Sequence, residues 1–303
     1  MNPSRPDRVA QIFAALSKCI CYVGLFLGMQ VLMLLPAMLS AAIQAAFSGG
    51  DEDEIYAAML NADVMTLTLI SGLLTIAVVL AFYLIRRKKL SEALWLRPVP
   101  APALFTGASL APALYFVVIV VLSVLPEAWT DSYGEASSSI ATGTVLGVIS
   151  VAFVAPVVEE FIFRGLVMTR LSRVMPGWLA VLLSAAVFGL CHGELVWFCY
   201  AFVLGAVFGF IDLRTGSILP SILGHMAFNA IGQIMTFVPE TEEGTEIVIA
   251  LGVLFVAGIV FLILDRKGIA ALLRPVSGPA PAMSGEWELP SVPGTYEYDP
   301  WDE

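Results

Sequence analysis

The sequence predicts an all-α, polytopic membrane protein with about eight transmembrane helices and both termini on the cytoplasmic side. Three observations carry that expectation. Of 303 residues, 59% are hydrophobic and only 13% charged, a balance outside the range of soluble domains. Apolar runs of about 20 residues recur along the chain, the length a helix needs to cross a hydrocarbon core of about 30 Å. When those runs are treated as alternating crossings, every lysine and arginine falls on one side.

The expected spans are Ile20–Ala42, Val64–Ile85, Ala103–Leu125, Val145–Met168, Trp178–Cys191, Val196–Ile211, Ile218–Val238 and Ile247–Leu264. The fifth and sixth are short and joined by Gly193-Glu194-Leu195, so they read as a tight helical hairpin. Pro100 and Pro102 before the third span, with Pro112 inside it, predict a broken start and a kink. Four regions follow: a three-helix region over 1–140, a motif-bearing core over 141–240, the last span within 241–274, and a tail over 275–303. From Pro275 the chain turns rich in Pro, Gly and Ser and ends in acids among aromatics, the composition of a disordered acidic cytoplasmic tail. No cleavable leader is expected, because Asn2 to Ser17 is mixed in character.

Placing both termini inside puts Arg5, Arg8, Lys18, Arg86, Arg87, Lys88, Lys89 and Arg97 there. Arg164, Arg170, Arg173, Arg214, Arg266, Lys267 and Arg274 join them. The opposite loops carry Asp51 to Glu54, Glu127, Asp131, Glu135, Glu240, Glu242, Glu243 and Glu246 without a base. That is the positive-inside pattern of a multi-pass protein of the cell membrane. The net charge of −10 lies mostly in loops and tail, so no nucleic-acid partner is expected. Cys19, Cys21, Cys191 and Cys199 follow neither a disulfide nor a zinc-ribbon spacing and read as small apolar fillers.

Two acids stand where composition forbids them. Val145 to Val158 carries no charge, then Glu159 and Glu160 appear, and the apolar run resumes through Met168 apart from Arg164. A charged side chain at mid-membrane costs roughly 2.5–3.5 kcal/mol on insertion scales. Glu160 and Arg164 are four apart and share a helix face, so they can pair. Glu159 is turned about 100° away and is not committed to Arg164. A buried ion pair stabilising a bundle is the plain reading. The chain's two histidines favour a working site instead. His192 ends Phe188-Gly189-Leu190-Cys191-His192, and His225 opens His225-Met226-Ala227-Phe228-Asn229, both in apolar segments read as helical. Glu159 and His225 each lie eleven residues from a basic marker, Arg170 and Arg214, or about 16 Å at helical rise. His192 lies about 22 Å from its own helix start, roughly one turn too far.

Glu159-Glu160-x-x-x-Arg164, Phe188-x-x-x-His192 and His225-x-x-x-Asn229 together resemble the CAAX-protease and bacteriocin-processing family, which includes the type II CAAX prenyl endopeptidases. The resemblance covers about Val145 to Val238. It implies an eight-helix membrane fold and hydrolysis of peptide bonds of membrane-associated peptides or proteins, lipidated or not, within the lipid bilayer.

The residues suit that chemistry independently. A carboxylate and an imidazole sharing a proton make a general base for water, and Glu159 with His192 fit. The oxyanion of the intermediate needs preorganised donors, and His225 with the Asn229 amide fit. Glu160 and Arg164 then form a structural clamp. A Zn²⁺ site of Glu159, His192 and His225, with Glu160 as base, is the alternative; the metal-free route is preferred because the histidines lack the His-Glu-x-x-His spacing. Two other classes remain: a catalytically silent scaffold or immunity factor of the same fold, and a proton- or ion-coupled transporter. The transporter should show interrupted segments at matching places in two halves, and no such repeat is present.

Overall fold

The structure is a computed structural model that describes residues 8–55, 64–87, 93–138 and 145–237, with 252, 253 and 255. Among the described residues it is all-helical, without a strand. The principal helices in chain order are α1 (Arg8–Phe47), α2 (Val64–Ile85), α3 (Ala101–Val124) and α4 (Glu127–Ser138). They continue with α5 (Val145–Leu171), α6 (Gly177–Leu190), α7 (Leu195–Thr215) and α8 (Leu219–Met235).

Five of these, α1, α2, α3, α5 and α7, are long and apolar enough to cross a membrane, and α6 is a shorter apolar helix. Among the described residues these five coincide with the first, second, third, fourth and sixth of the expected spans. α6 has 14 residues and α8 has 17, short of a full crossing of about 20. The expected eighth span, Ile247–Leu264, and the tail from Pro275 lie outside the described residues, apart from 252, 253 and 255. α1 extends beyond Ile20–Ala42 at both ends and runs through Pro36 for 40 residues. At about 1.5 Å per residue it is about twice as long as the hydrocarbon core is thick. α3 starts directly after Pro100 and continues through Pro112. α4 was not expected at all. It is polar, and a search for apolar runs reads its acids as loop.

α5 is not a uniform helix. Ser150–Val154 and Phe161–Met168 are π-helical, on either side of the α-helical stretch Ala155–Glu160. Pro156 supplies the cause of the first. It has no N–H to give the carbonyl four residues back, so the ladder slips by one residue just before it. Wide turns of this kind leave carbonyls without a ladder partner. In α5 they bracket the two acids.

The remaining packing fixes the depth of the other site helices. α3 and α8 approach backbone to backbone: a Cβ on Gly107 would collide with the Pro220 carbonyl oxygen. Small residues at such a crossing let membrane helices approach closely, and Gly224 on the same crossing directly precedes His225. α6 and α7 form the expected hairpin. Gly193 takes φ +75°, and Glu194 caps α7 by accepting the Trp197 backbone N–H at 2.7 Å. At the opposite end, residues 93–97 dock on α5 and on the α7–α8 turn. Thr169 donates to the Ala93 carbonyl at 3.2 Å, Ser217 to the Arg97 carbonyl at 2.7 Å, and Ile218 N–H to the Trp95 carbonyl at 3.1 Å. This gathers the segments bearing Arg97, Arg170, Arg173 and Arg214 at one end. Ser132 of α4, in an acidic stretch, donates to Glu194 at 3.1 Å at the other.

Candidate active site

The two neighbouring acids have different surroundings. Glu160 is fully buried. Its Oε1 lies 3.1 Å from Arg164 Nη1 and accepts from His225 Nδ1 at 2.8 Å. The expected i,i+4 pair is therefore present, and it holds more than expected: Glu160 also anchors His225, 65 residues further along. Arg164 is wedged in turn. Its guanidinium carbon sits 4.4 Å from the centre of the Phe188 ring, a cation–π contact. A Cβ on Gly205 would come within 3.1 Å of its Nη2.

Glu159 is the open member. Its side chain retains 21% exposure, and its Oε2 lies 3.7 Å from His225 Nε2, beyond direct hydrogen bonding. It lines a groove between α1, α2 and α5 whose other walls include Phe26, Gln30, Thr68, Leu69 and Val158. A carboxylate at the margin of an apolar groove is reachable by water and by a peptide; one buried behind an arginine is not.

His192 lies beyond the end of α6, in the turn that follows Leu190, and not in a helix as expected. The one-turn excess in its depth arises there. The turn folds the ring back, and its Nδ1 faces the Phe188 carbonyl at 3.0 Å. With Nδ1–H donating to that oxygen, a neutral imidazole presents Nε2 as its acceptor, the form a base requires. The Phe188 ring stands between both histidines, 4.8 Å from the His192 ring centre and 5.7 Å from that of His225. Glu159 acts on His192 electrostatically.

Asn229 donates one amide hydrogen to the Val151 carbonyl at 2.9 Å. That oxygen belongs to the first π-helical segment, so the irregular turn of α5 orients Asn229. The amide has a second hydrogen to give.

A metal held by Glu159, His192 and His225 finds no matching donor set. Among the described residues, no three His, Cys, Asp or Glu side chains converge as ligands. Both histidines turn Nδ1 to protein oxygens and leave Nε2 free, an arrangement common to bases and metal ligands; what a zinc site lacks here is convergence of the three side chains among the described residues. Of the cysteines, Cys19 is buried as a filler should be, whereas Cys21 and Cys199 are exposed.

Sequence reasoning missed Asp212. It is fully buried on α7, one residue past the expected end of the span at Ile211. Its spacing from Gly205 and Gly209, seven and three residues, puts it on the glycine face of α7 that packs on Arg164 and Met168. That was the available signal.

Residues 141–231 match the family model described as type II CAAX prenyl endopeptidase Rce1-like. The segment that carries the site is Rce1-like. This is the family the three motifs resemble, and the Rce1-like stretch holds Glu159, Glu160, Arg164, His192, His225 and Asn229. A relative named "Putative membrane peptidase YdiL", from Bacillus subtilis (strain 168), is 29% identical over 114 residues, covering 36% of this chain and 47% of that protein. The chain thus matches about half the length of this relative. No solved structure matches the chain.

Proposed function

We propose that the protein is an intramembrane endopeptidase that hydrolyses peptide bonds of membrane-associated peptides or proteins, with Glu159 and His192 activating water. The observation that carries this reading is the division of labour between adjacent carboxylates: Glu160 is buried and doubly engaged, while Glu159 remains open on a groove. Glu159, together with the acceptor nitrogen of His192, takes a proton from water, and the hydroxide attacks the carbonyl carbon. The oxygen gains the charge and is met by His225 Nε2–H and the second amide hydrogen of Asn229. For His225 to donate there while Nδ1–H serves Glu160, the ring carries both protons. When the C–N bond breaks, the proton held by the Glu159–His192 pair goes to the leaving nitrogen. The Rce1-like match and the peptidase name of the relative support the reaction class. The test is cleavage of membrane peptides by detergent-purified protein, read by mass spectrometry.

Asn229→Ala should lower kcat about 10²–10³-fold, as the loss of one oxyanion donor does. Binding of uncleaved peptide should be unchanged, because the charge it serves exists only in the transition state. A matching loss of peptide affinity would refute that role.

Both termini are proposed to be cytoplasmic, supported by the basic segments gathered at one end. In a protein whose four native cysteines are replaced, a cysteine at Asp53 should react with an impermeant reagent on intact cells and one at Ser284 should not. Strong external labelling at Ser284 would reverse the orientation.

A further inference from the structure

A carboxamide has an acceptor oxygen and two donor hydrogens, and on a membrane helix it usually bonds across to a neighbour. α1 holds three glutamines. Gln44 donates to Ser40 at 3.2 Å, and Gln11 is partnered. Gln30 differs: among the described residues its amide forms no hydrogen bond or ion pair. It is half-buried, stands in the uncharged stretch from Cys19 to Leu39, and lines the groove onto which Glu159 opens.

Two contacts fix its depth. Cys19 donates to the Val167 carbonyl at 3.8 Å, and Phe26 meets Phe163 edge-on with ring centres 5.9 Å apart, so α1 and α5 run in opposite directions. Gln30 is one turn past Phe26 and Glu159 one turn before Phe163. Both therefore lie about 6 Å beyond that ring contact on the same side. The amide stands at about the level of the carboxylate, across the same groove. From Glu159 the groove follows α5 back to Ser150, about 14 Å at helical rise, which is the span of about four residues of extended chain. Its walls there are apolar, Leu69, Val151, Val154 and Ala155 among them. The Val151 carbonyl is already taken by Asn229, and the Ser150 hydroxyl donates to the Leu146 carbonyl at 2.8 Å.

A bond about to be cleaved must be presented unwound, and an unwound segment in an apolar groove brings N–H and C=O groups that need partners. We propose that Gln30 is a substrate-binding residue: its carboxamide donates to a backbone carbonyl and accepts from a backbone N–H of an extended apolar segment beside the scissile bond, and so holds that bond at Glu159. This deepens the peptidase reading and rests on its placing of Glu159 at the chemistry, but its test needs no cleavage.

The probe is a dye-labelled peptide, Lys-Lys-Val-Leu-Val-Ala-Lys-Lys, whose four apolar residues match the groove and whose lysines fix the register. Its binding to full-length Glu159→Gln protein in detergent is read by fluorescence anisotropy. Adding Gln30→Met, which keeps the length of the side chain, should raise Kd about 10-fold, the loss expected from one or two net hydrogen bonds. The same variant should melt no lower, because Gln30 bonds to nothing in the fold. Replacing the peptide's amides by esters, one at a time, removes one N–H each. At one position the ester should weaken binding about 10-fold where Gln30 is present and leave binding to Gln30→Met unchanged, a coupling that a purely structural glutamine would not produce. An equal Kd for the two proteins overturns the proposal, and so does the absence of any peptide binding. An ester scan that is flat with Gln30 present overturns it too, and that scan requires no substitution at position 30. Failure of the wild type to cleave any peptide would count against the peptidase reading alone and leave the binding data to decide this one.

Discussion

Glu159→Gln is expected to fold like the wild type and to cleave peptide about 10²–10⁴-fold more slowly, the range lost with a general base. Both parts follow from the surroundings of that carboxylate. It is partly exposed, makes no formed contact with Arg164, and stands 3.7 Å from the nearest nitrogen of His225. An amide of the same shape therefore strands no partner. Deleting its charge even relieves an acid beside an apolar groove. Thermal melting in detergent should match the wild type, while single-turnover cleavage collapses. Undiminished cleavage would take Glu159 out of the chemistry. A scaffold of the same fold would show no cleavage by either protein.

Arg164→Ala should behave in the opposite way, with the fold suffering first. The substitution leaves Glu160 buried without its cation, with His225 as its hydrogen-bond partner. Breaking a buried pair by removing one partner costs about 3–5 kcal/mol, because the charge left behind stays desolvated. The contact with the Phe188 ring at 4.4 Å is lost too, and that ring lies between both histidines. Poor accumulation and a clearly lowered melting temperature are the expected results. Arg164→Lys should rescue only partly, since an ammonium cannot both meet Glu160 and lie flat on Phe188. An Arg164→Ala protein with wild-type melting would remove the clamp.

What the sequence revealed of this site depended on local periodicity. Glu160 and Arg164 pair because four residues make about one helical turn, and the pair survives although the helix widens to π form at Phe161. Glu159 and His225 could be placed at one depth by counting from Arg170 and Arg214. His192 resisted the same count because it lies past the helix, in a turn whose geometry comes from Gly193 and the Glu194 cap. Features that depend on contacts distant in sequence were not legible. Asn229 is oriented by a carbonyl that a proline-induced slip exposes 78 residues earlier. Asp212 lies one residue past the expected end of its span, and packing of the α7 glycine face on α5 and α6 buries it. Of the eight expected spans, five are matched by helices long and apolar enough to cross a membrane, while α6 and α8 are shorter helices at the expected places.

The central claim, that Glu159 activates water to hydrolyse a peptide bond, has one direct measurement. Purified wild type and Glu159→Gln are incubated side by side with membrane peptides in ¹⁸O-labelled water, and the products are read by mass spectrometry. The wild type should release fragments with one heavy oxygen in each new carboxyl group, with and without chelator, and the Gln variant should release almost none. Intact peptides with the wild type, or labelled fragments at equal rates from both proteins, would contradict it.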